Sequence, residues 1–333
     1  MTNLLVLGGT QWLGRTIAIQ ARDRGIAVTC LARGVAGDPA EGIEFVAADR
    51  SMPTAYDAVR GRDWDAVVDV SWQPPFVAGA VAALGERTAH WTYVSSGSVY
   101  ARTDIVGSDE SSTRHAPLRD DAPTWETYGP AKAACEDLVV AGLGERAFVA
   151  RAGLIGGPGD PSDRFGYWVS RFALADDETV LVPDAPDLSS QLIDVRDLAD
   201  WIVSAPSLAT SGPFNACGEA MPFPVVIAEA AAVAGFRGEQ VLASPTWLAE
   251  HEVAIWSGPR SLPLWMNLPE YAGFNTRSDA RALGAGLVRR SLVETIEDTL
   301  ADERARGLAR PRKAGLDRAD ELELIRLLPA KES

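Results

Sequence analysis

The chain has 333 residues, 47% of them hydrophobic and 23% charged, and 31 Lys plus Arg against 46 Asp plus Glu leave a formal charge of −15. That length can bury a substantial core and fits two sub-domains. The charge disfavours non-specific adhesion to nucleic-acid backbones, and no apolar run reaches the ~20 residues of a membrane span.

Three cysteines (Cys30, Cys135, Cys217) and three histidines (His90, His115, His251) stand in no metal-ligand spacing. They read as reduced thiols and scattered imidazoles of a cytoplasmic protein without a metal site. The opening MTNLLVLGGT lacks a basic n-region, so no signal peptide is expected.

Asn3 to Leu7 is a short Leu/Val run, the pattern of a buried parallel strand. Gly8-Gly9-Thr10-Gln11-Trp12-Leu13-Gly14 follows, and a helix to about Arg24 puts Leu13, Ile17 and Ala21 on one face. Strand, glycine turn and helix together bring backbone N–H groups and a helix N-terminus onto a pyrophosphate. Further strands are expected at Ile26–Leu31, Ile43–Val46, Asp65–Val70, Trp91–Ser95 and Ala147–Ala150. Pro74 and Pro75 open a helix to about Leu84. Residues 101–124 are polar with prolines and read as an irregular excursion of the kind that covers sites.

The organising stretch is Tyr128-Gly129-Pro130-Ala131-Lys132, on a helix to about Val140. Residues four apart share a helix face. A cation beside a phenol favours the phenolate and makes a tunable proton donor. Upstream, Ser95-Ser96-Gly97-Ser98-Val99-Tyr100 closes an apolar strand. After Gly218 the order of elements is hard to read. Helices are expected near 224–234 and 291–303, Pro, Trp and Met cluster between Pro245 and Leu268, and Leu316–Leu328 is an amphipathic stretch that either packs on the domain or a partner or, the safer reading, is a solvated helix face.

Glycine turn, serine strand end and YxxxK, in that order, resemble the extended short-chain dehydrogenase/reductases, the NAD-dependent epimerase/dehydratase family, in a sub-branch with a GGTxxLG turn. The resemblance covers nearly the whole chain and weakens after about residue 217. Gln11 departs from it, standing where the family's Gly-Gly-x-Gly-x-x-Gly pattern places its third glycine. The resemblance implies an α/β fold, a doubly wound parallel Rossmann sheet with a smaller, discontinuous C-terminal substrate lobe. It divides the chain into a dinucleotide domain (1–151 and 190–217) and a substrate lobe (152–189 and 218–333).

It further implies Ser96, Tyr128 and Lys132 as catalytic residues. The cofactor would meet Gly8, Gly9, Thr10, Gln11, Trp12, Leu13, Gly14, Ser71, Ser95 and Lys132, with Arg33, Asp49 and Arg50 on its adenosine side. Asp49 reads equally as a loop cap, Arg33 as a solvated loop residue, and Ser95 and Ser98 as turn chemistry. Ala32 stands where NAD-selective relatives carry an acid, and Arg33 offers a donor fork to a 2′-phosphate, so NADP(H) is preferred over a possible NAD(H).

Trp72, Ser98, Trp125, Arg164 and Trp168 are the expected substrate contacts, and no metal is expected. Leu154 replaces the amide that sugar-nucleotide epimerases present, and the abundant tryptophans favour an apolar ring. The leading expectation is reduction of a ketone or aldehyde of a small, largely apolar metabolite. A nucleotide-sugar epimerase or dehydratase is the alternative, and a non-catalytic NADP-binding regulator or RNA-binding relative the third. The partners expected are a small-molecule substrate and a second copy in a homodimer, with neither nucleic acid nor membrane.

Overall fold

The structure is a computed structural model that describes all residues except 36, 38, 121 and 329–333. Its elements in chain order are β1 (Asn3–Leu7), α1 (Trp12–Asp23), β2 (Ala27–Ala32), β3 (Glu44–Ala47), β4 (Trp64–Asp69), α2 (Pro74–Leu84), β5 (Thr88–Ser96), α3 (Tyr128–Leu143) and β6 (Ala147–Ala152). Then come β7 (Leu154–Gly156), α4 (Arg164–Ala175), β8 (Val180–Pro183), β9 (Ser189–Asp194), α5 (Val195–Ser204), β10 (Gly212–Ala216), β11 (Ala220–Pro222), α6 (Phe223–Ala234) and β12 (Gln240–Ala243). The last are α7 (Pro245–Glu250), β13 (Ala254–Trp256), β14 (Ser261–Pro263), α8 (Ala280–Gly284), α9 (Leu292–Arg306) and α10 (Arg318–Leu327).

The chain forms two compact units: Met1–Leu154 with Val195–Gly218 and Arg277–Arg289, and Ile155–Asp194 with Glu219–Thr276 and Arg290–Ser333. The first therefore takes back a segment near residue 280 that the sequence assigned to the substrate lobe. Asn215 explains part of that return, because its Nδ2 donates to Ser278 O at 2.9 Å.

The first unit is built on a seven-stranded sheet ordered β10-β6-β5-β4-β1-β2-β3, with every neighbouring pair parallel. Such a sheet is buried on both faces, which is why its strands read as apolar runs rather than alternating ones. On one face Leu5, Val67, Trp91 and Tyr93 pack with Val77 and Leu84 of α2 and Cys135 and Val139 of α3. On the other, Phe148, Trp201 and Phe214 meet edge to face with centroids 4.8–5.7 Å apart. The strand order reverses at β1, between β2 and β4. Ligands of open α/β sheets bind at such a switch point, beyond the carboxyl ends of the strands.

The second unit packs α4, α6 and α9 around Trp168, Phe172 and Phe223. Its final helix is not the solvated face expected of Leu316–Leu328. Leu316 and Leu324 are buried, and the buried Glu321 carboxylate accepts from Leu181 N at 3.1 Å, so α10 is sewn to β8. Among the described residues no helix is long and apolar enough to cross a membrane, and no group of three or more His, Cys, Asp or Glu could hold a metal. All three thiols are buried, and burial pushes Cys30 and Cys217 up to about 12 and Cys135 to about 11.

Candidate active site

Three strand ends and one helix build the site, all within the first unit. After β1 the chain turns through Gly8, whose φ of +100° an L side chain rarely adopts. Gly8 N donates to Leu31 O at 2.9 Å, tying the turn to β2. A Cβ on Gly14 would lie 2.3 Å from Gly8 O, so only glycine lets α1 start this close to the strand. Gln11 caps α1 in an extended conformation without a side-chain cap bond, and no acid stands in the first turn. Thr10 is buried, Trp12 and Leu13 are half-buried, and Gln11 is exposed. A glycine cradle leading into an uncapped helix N-terminus fits the pyrophosphate of a dinucleotide.

On the adenosine side the residues differ in their freedom. Arg33 is exposed just beyond β2. Asp49 sits below the usual carboxylate range because Ser51 N–H and Oγ–H donate to it at 2.9 and 2.8 Å, with the Arg33 charge adding to this. Arg50 is engaged inside the protein. Its fork holds both Asp69 oxygens at 2.8 and 2.6 Å and also donates to Phe76 O and Tyr56 OH. This buried pair fixes the end of β4, which is a structural task.

Tyr128 is the first residue of α3 and is half-buried. One turn on, Lys132 is 3% exposed. Its Nζ donates to Val94 O at 2.7 Å and Ser71 O at 3.0 Å, clasping the ends of β5 and β4. The same Nζ lies 4.8 Å from the Tyr93 ring centroid and 6.0 Å from that of Tyr128. Ser71 O also accepts from Tyr93 OH at 3.0 Å.

Ser96 Oγ accepts from Ser98 N at 3.1 Å and donates to Ser98 Oγ at 3.2 Å, capping the short turn that ends β5. That turn abuts α3, because a Cβ on Gly129 would stand 2.4 Å from Ser98 O. Ser95 points elsewhere: its buried hydroxyl donates to Glu136 Oε1 at 2.6 Å.

Glu136, one further turn along α3, is a residue that the sequence did not single out. It is 2% exposed. Besides Ser95 it accepts from Arg151 Nε and Nη2 at 3.0 and 2.8 Å and from Arg114 Nη1 at 3.0 Å. Arg151 comes from β6, and Arg114 from the 101–124 excursion. Arg151 Nη1 also donates to Tyr100 OH at 3.0 Å, and that hydroxyl donates to Asn215 Oδ1 at 2.6 Å. Arg277, equally unforeseen, lies over the Tyr100 ring at 5.1 Å, with Nη1 2.8 Å from where a Gly97 Cβ would stand.

Three rings stand at the start of α3. Trp72 and Trp125 stack with centroids 5.1 Å apart and planes at 20°, and Tyr128 tilts against them at 5.5 and 5.8 Å. Trp125 is nevertheless 76% exposed. Leu154 is buried in the first unit. The other two expected substrate contacts lie in the second unit. Arg164 donates to Ser162 Oγ at 3.1 Å and lies over the Trp256 ring at 4.9 Å. Trp168 is buried, with Nε1 donating to Pro263 O at 2.7 Å, so its indole belongs to the interior of that unit.

No protein-family model matches the chain, and no curated protein matches it. Solved structures do. A candidate epimerase from Burkholderia cenocepacia J2315 aligns with a TM-score of 0.70 at 20% identity, covering 91% of this chain and 98% of that one. The UDP-Glc/GlcNAc 4-epimerase of Campylobacter jejuni gives 0.68 at 13% identity, covering 92% of this chain and 100% of its own. RMD from Pseudomonas aeruginosa, solved with NADPH, gives 0.64 at 19% identity with coverage of 92% and 100%. The likeness establishes the fold. This chain shares their doubly wound architecture through nearly its whole length.

Proposed function

We propose that this chain binds a nicotinamide dinucleotide on the 8–14 turn and carries out oxidoreductase chemistry at an oxygen-bearing carbon. The observation that carries this is Lys132. One turn from Tyr128, it clasps the ends of β4 and β5 beside the switch point, so the phenol and the glycine turn share one end of the sheet. The nicotinamide, when bound, supplies or accepts hydride. Tyr128 donates its proton to the substrate oxygen in reduction and recovers it in oxidation. Lys132 sets a positive charge beside the phenol and keeps a donor for the nicotinamide ribose, and the Ser96 hydroxyl holds the substrate oxygen. General acid catalysis of this kind is worth roughly 10²–10⁴-fold.

On the substrate side the finer proposal is net reduction of a neutral, apolar carbonyl compound with NADPH. Its support is the aromatic wall beside Tyr128 and the buried Leu154, which offers no donor to a diphosphate. Buried sites without partners for charge reject charge strongly. The second reading, a nucleotide-sugar epimerase, is favoured by the names of the structural neighbours, two of the three being called epimerases. Both use the same Tyr128.

α2 supports a homodimer. Its sequence PPFVAGAVAAL carries no charge, yet Pro75 and Ala82 are exposed. A groove of about 620 Å³ runs beside it, lined by Met52, Tyr56, Phe76 and Gly79 among others and by none of the proposed catalytic residues. An isologous contact of this uncharged helix with its copy buries that surface.

Four measurements check these points. Tyr128→Phe should lose at least 10²-fold in kcat while thermal unfolding is unchanged; near-normal turnover would refute the acid role. Wild type should consume NADPH with hydrophobic ketones or aldehydes, whereas turnover of UDP-sugars without net cofactor change establishes the epimerase, and cofactor binding with no turnover of either class leaves a binding protein. NADPH should bind more tightly than NADH, and Arg33→Ala should erase most of a preference of about 1.5–3 kcal/mol; equal wild-type affinities would overturn this. Light scattering at micromolar concentration should give twice the chain mass rather than once.

A further inference from the structure

The Trp72–Trp125 pair is more than a wall. The two indoles differ in how they are held. Trp72 follows Ser71, whose carbonyl accepts from both Lys132 Nζ and Tyr93 OH, so its backbone is pinned to the catalytic floor. Trp125 sits on a turn that bonds to itself. Thr127 N donates to Thr124 O at 3.2 Å, Thr124 N donates to Thr127 Oγ at 2.8 Å, and Tyr128 N donates to Trp125 O at 3.3 Å. The ring contacts of Trp125 are with Trp72 and Tyr128, and three quarters of the residue faces solvent. A side-chain swing of Trp125 therefore leaves the turn and the core intact.

An indole that touches one other indole and a phenol, with three quarters of its residue in water, is poorly buried, since apolar area left in water forgoes about 25 cal/mol per Å². A flat ligand that slid between the two indoles would cover both inner faces. Aromatic rings stack with centroids 4.5–7 Å apart, so the present 5.1 Å leaves no room for an inserted ring. A sandwich takes two such separations, so the indole centroids must part to about 9 Å or more.

We infer that Trp72 and Trp125 form an aromatic clamp, Trp72 its fixed jaw and Trp125 its moving one, which opens to take a planar, uncharged aromatic ring whose conjugated carbonyl then lies against Tyr128. The clamp rests on Tyr128 being the proton donor, and it narrows the substrate to aryl carbonyl compounds. The geometry has a coupled consequence: Trp125 O is the acceptor of Tyr128 N, so the moving jaw and the catalytic residue share a backbone bond.

The test uses the full chain with acetophenone and its saturated counterpart, cyclohexyl methyl ketone. The stacked indoles should give an exciton couplet in far-ultraviolet circular dichroism that Trp125→Ala and Trp125→Phe both remove. Saturating acetophenone should collapse the wild-type couplet, and cyclohexyl methyl ketone should leave it in place. With NADPH, kcat/KM should favour acetophenone by about tenfold, the equivalent of about 1.4 kcal/mol of stacking, and that ratio should fall towards one in Trp125→Ala. A couplet that ignores acetophenone, or that responds to UDP-glucose instead, overturns the clamp. If neither ketone is turned over but acetophenone still collapses the couplet, the clamp stands and the reductase assignment falls. If both are reduced equally with the couplet unmoved, the reductase stands and the clamp falls.

Discussion

One buried carboxylate holds the candidate site together. Glu136 lies in the interior of the first unit, where an unpaired charge costs several kcal/mol. Its position is tolerable only because Ser95, Arg151 and Arg114 all donate to it. Those donors come from the end of β5, from β6 and from the excursion that follows β5. Tyr128, Lys132 and Glu136 are four residues apart in succession, hence on one face of α3. The pairing that satisfies Glu136 therefore also turns Tyr128 and Lys132 toward the strand ends. Lys132 repeats the logic with opposite sign, its buried ammonium satisfied by two carbonyl oxygens and by the faces of Tyr93 and Tyr128. Helix and sheet are thus locked by two buried ions of opposite charge, and the site inherits its rigidity from them.

Much of this was legible in the residues themselves. The expected strands lie within three residues of the observed ones at each end, because a parallel sheet buried on both faces writes its strands as continuous apolar runs. The Gly8–Gly14 turn and the Tyr128–Lys132 spacing are local patterns, and each folds as local chemistry dictates. Glu136 was not legible, because its partners stand 15, 22 and 41 residues away and a Glu in a helix ordinarily faces water. Arg277 is farther still from the turn it touches, and no local pattern announces it. Arg50, Ser95 and Trp168 show the converse. Each lies beside a motif, but motif proximity says nothing of where a side chain points, and here Asp69, Glu136 and the second unit's core respectively claim them.

The cofactor side and the substrate side of the site follow different physics. A pyrophosphate is met by backbone N–H groups and a helix end, and these are features of the fold, which is shared at 13–20% identity. Substrate choice depends on individual side chains over Tyr128. In this chain the rings beside Tyr128 are those of Trp72 and Trp125.

The dependence on Glu136 is open to a direct measurement that needs no substrate: a double-mutant cycle of Ser95→Ala and Glu136→Gln, read by urea unfolding. Residues joined in one buried network couple by about 0.5–3 kcal/mol, whereas independent sites add within about 0.3–0.5 kcal/mol. A coupling above 1 kcal/mol, with NADPH affinity lost in both single variants, is the expected result. Additive changes with NADPH binding intact would show that the strand end and α3 are held together by something other than this carboxylate.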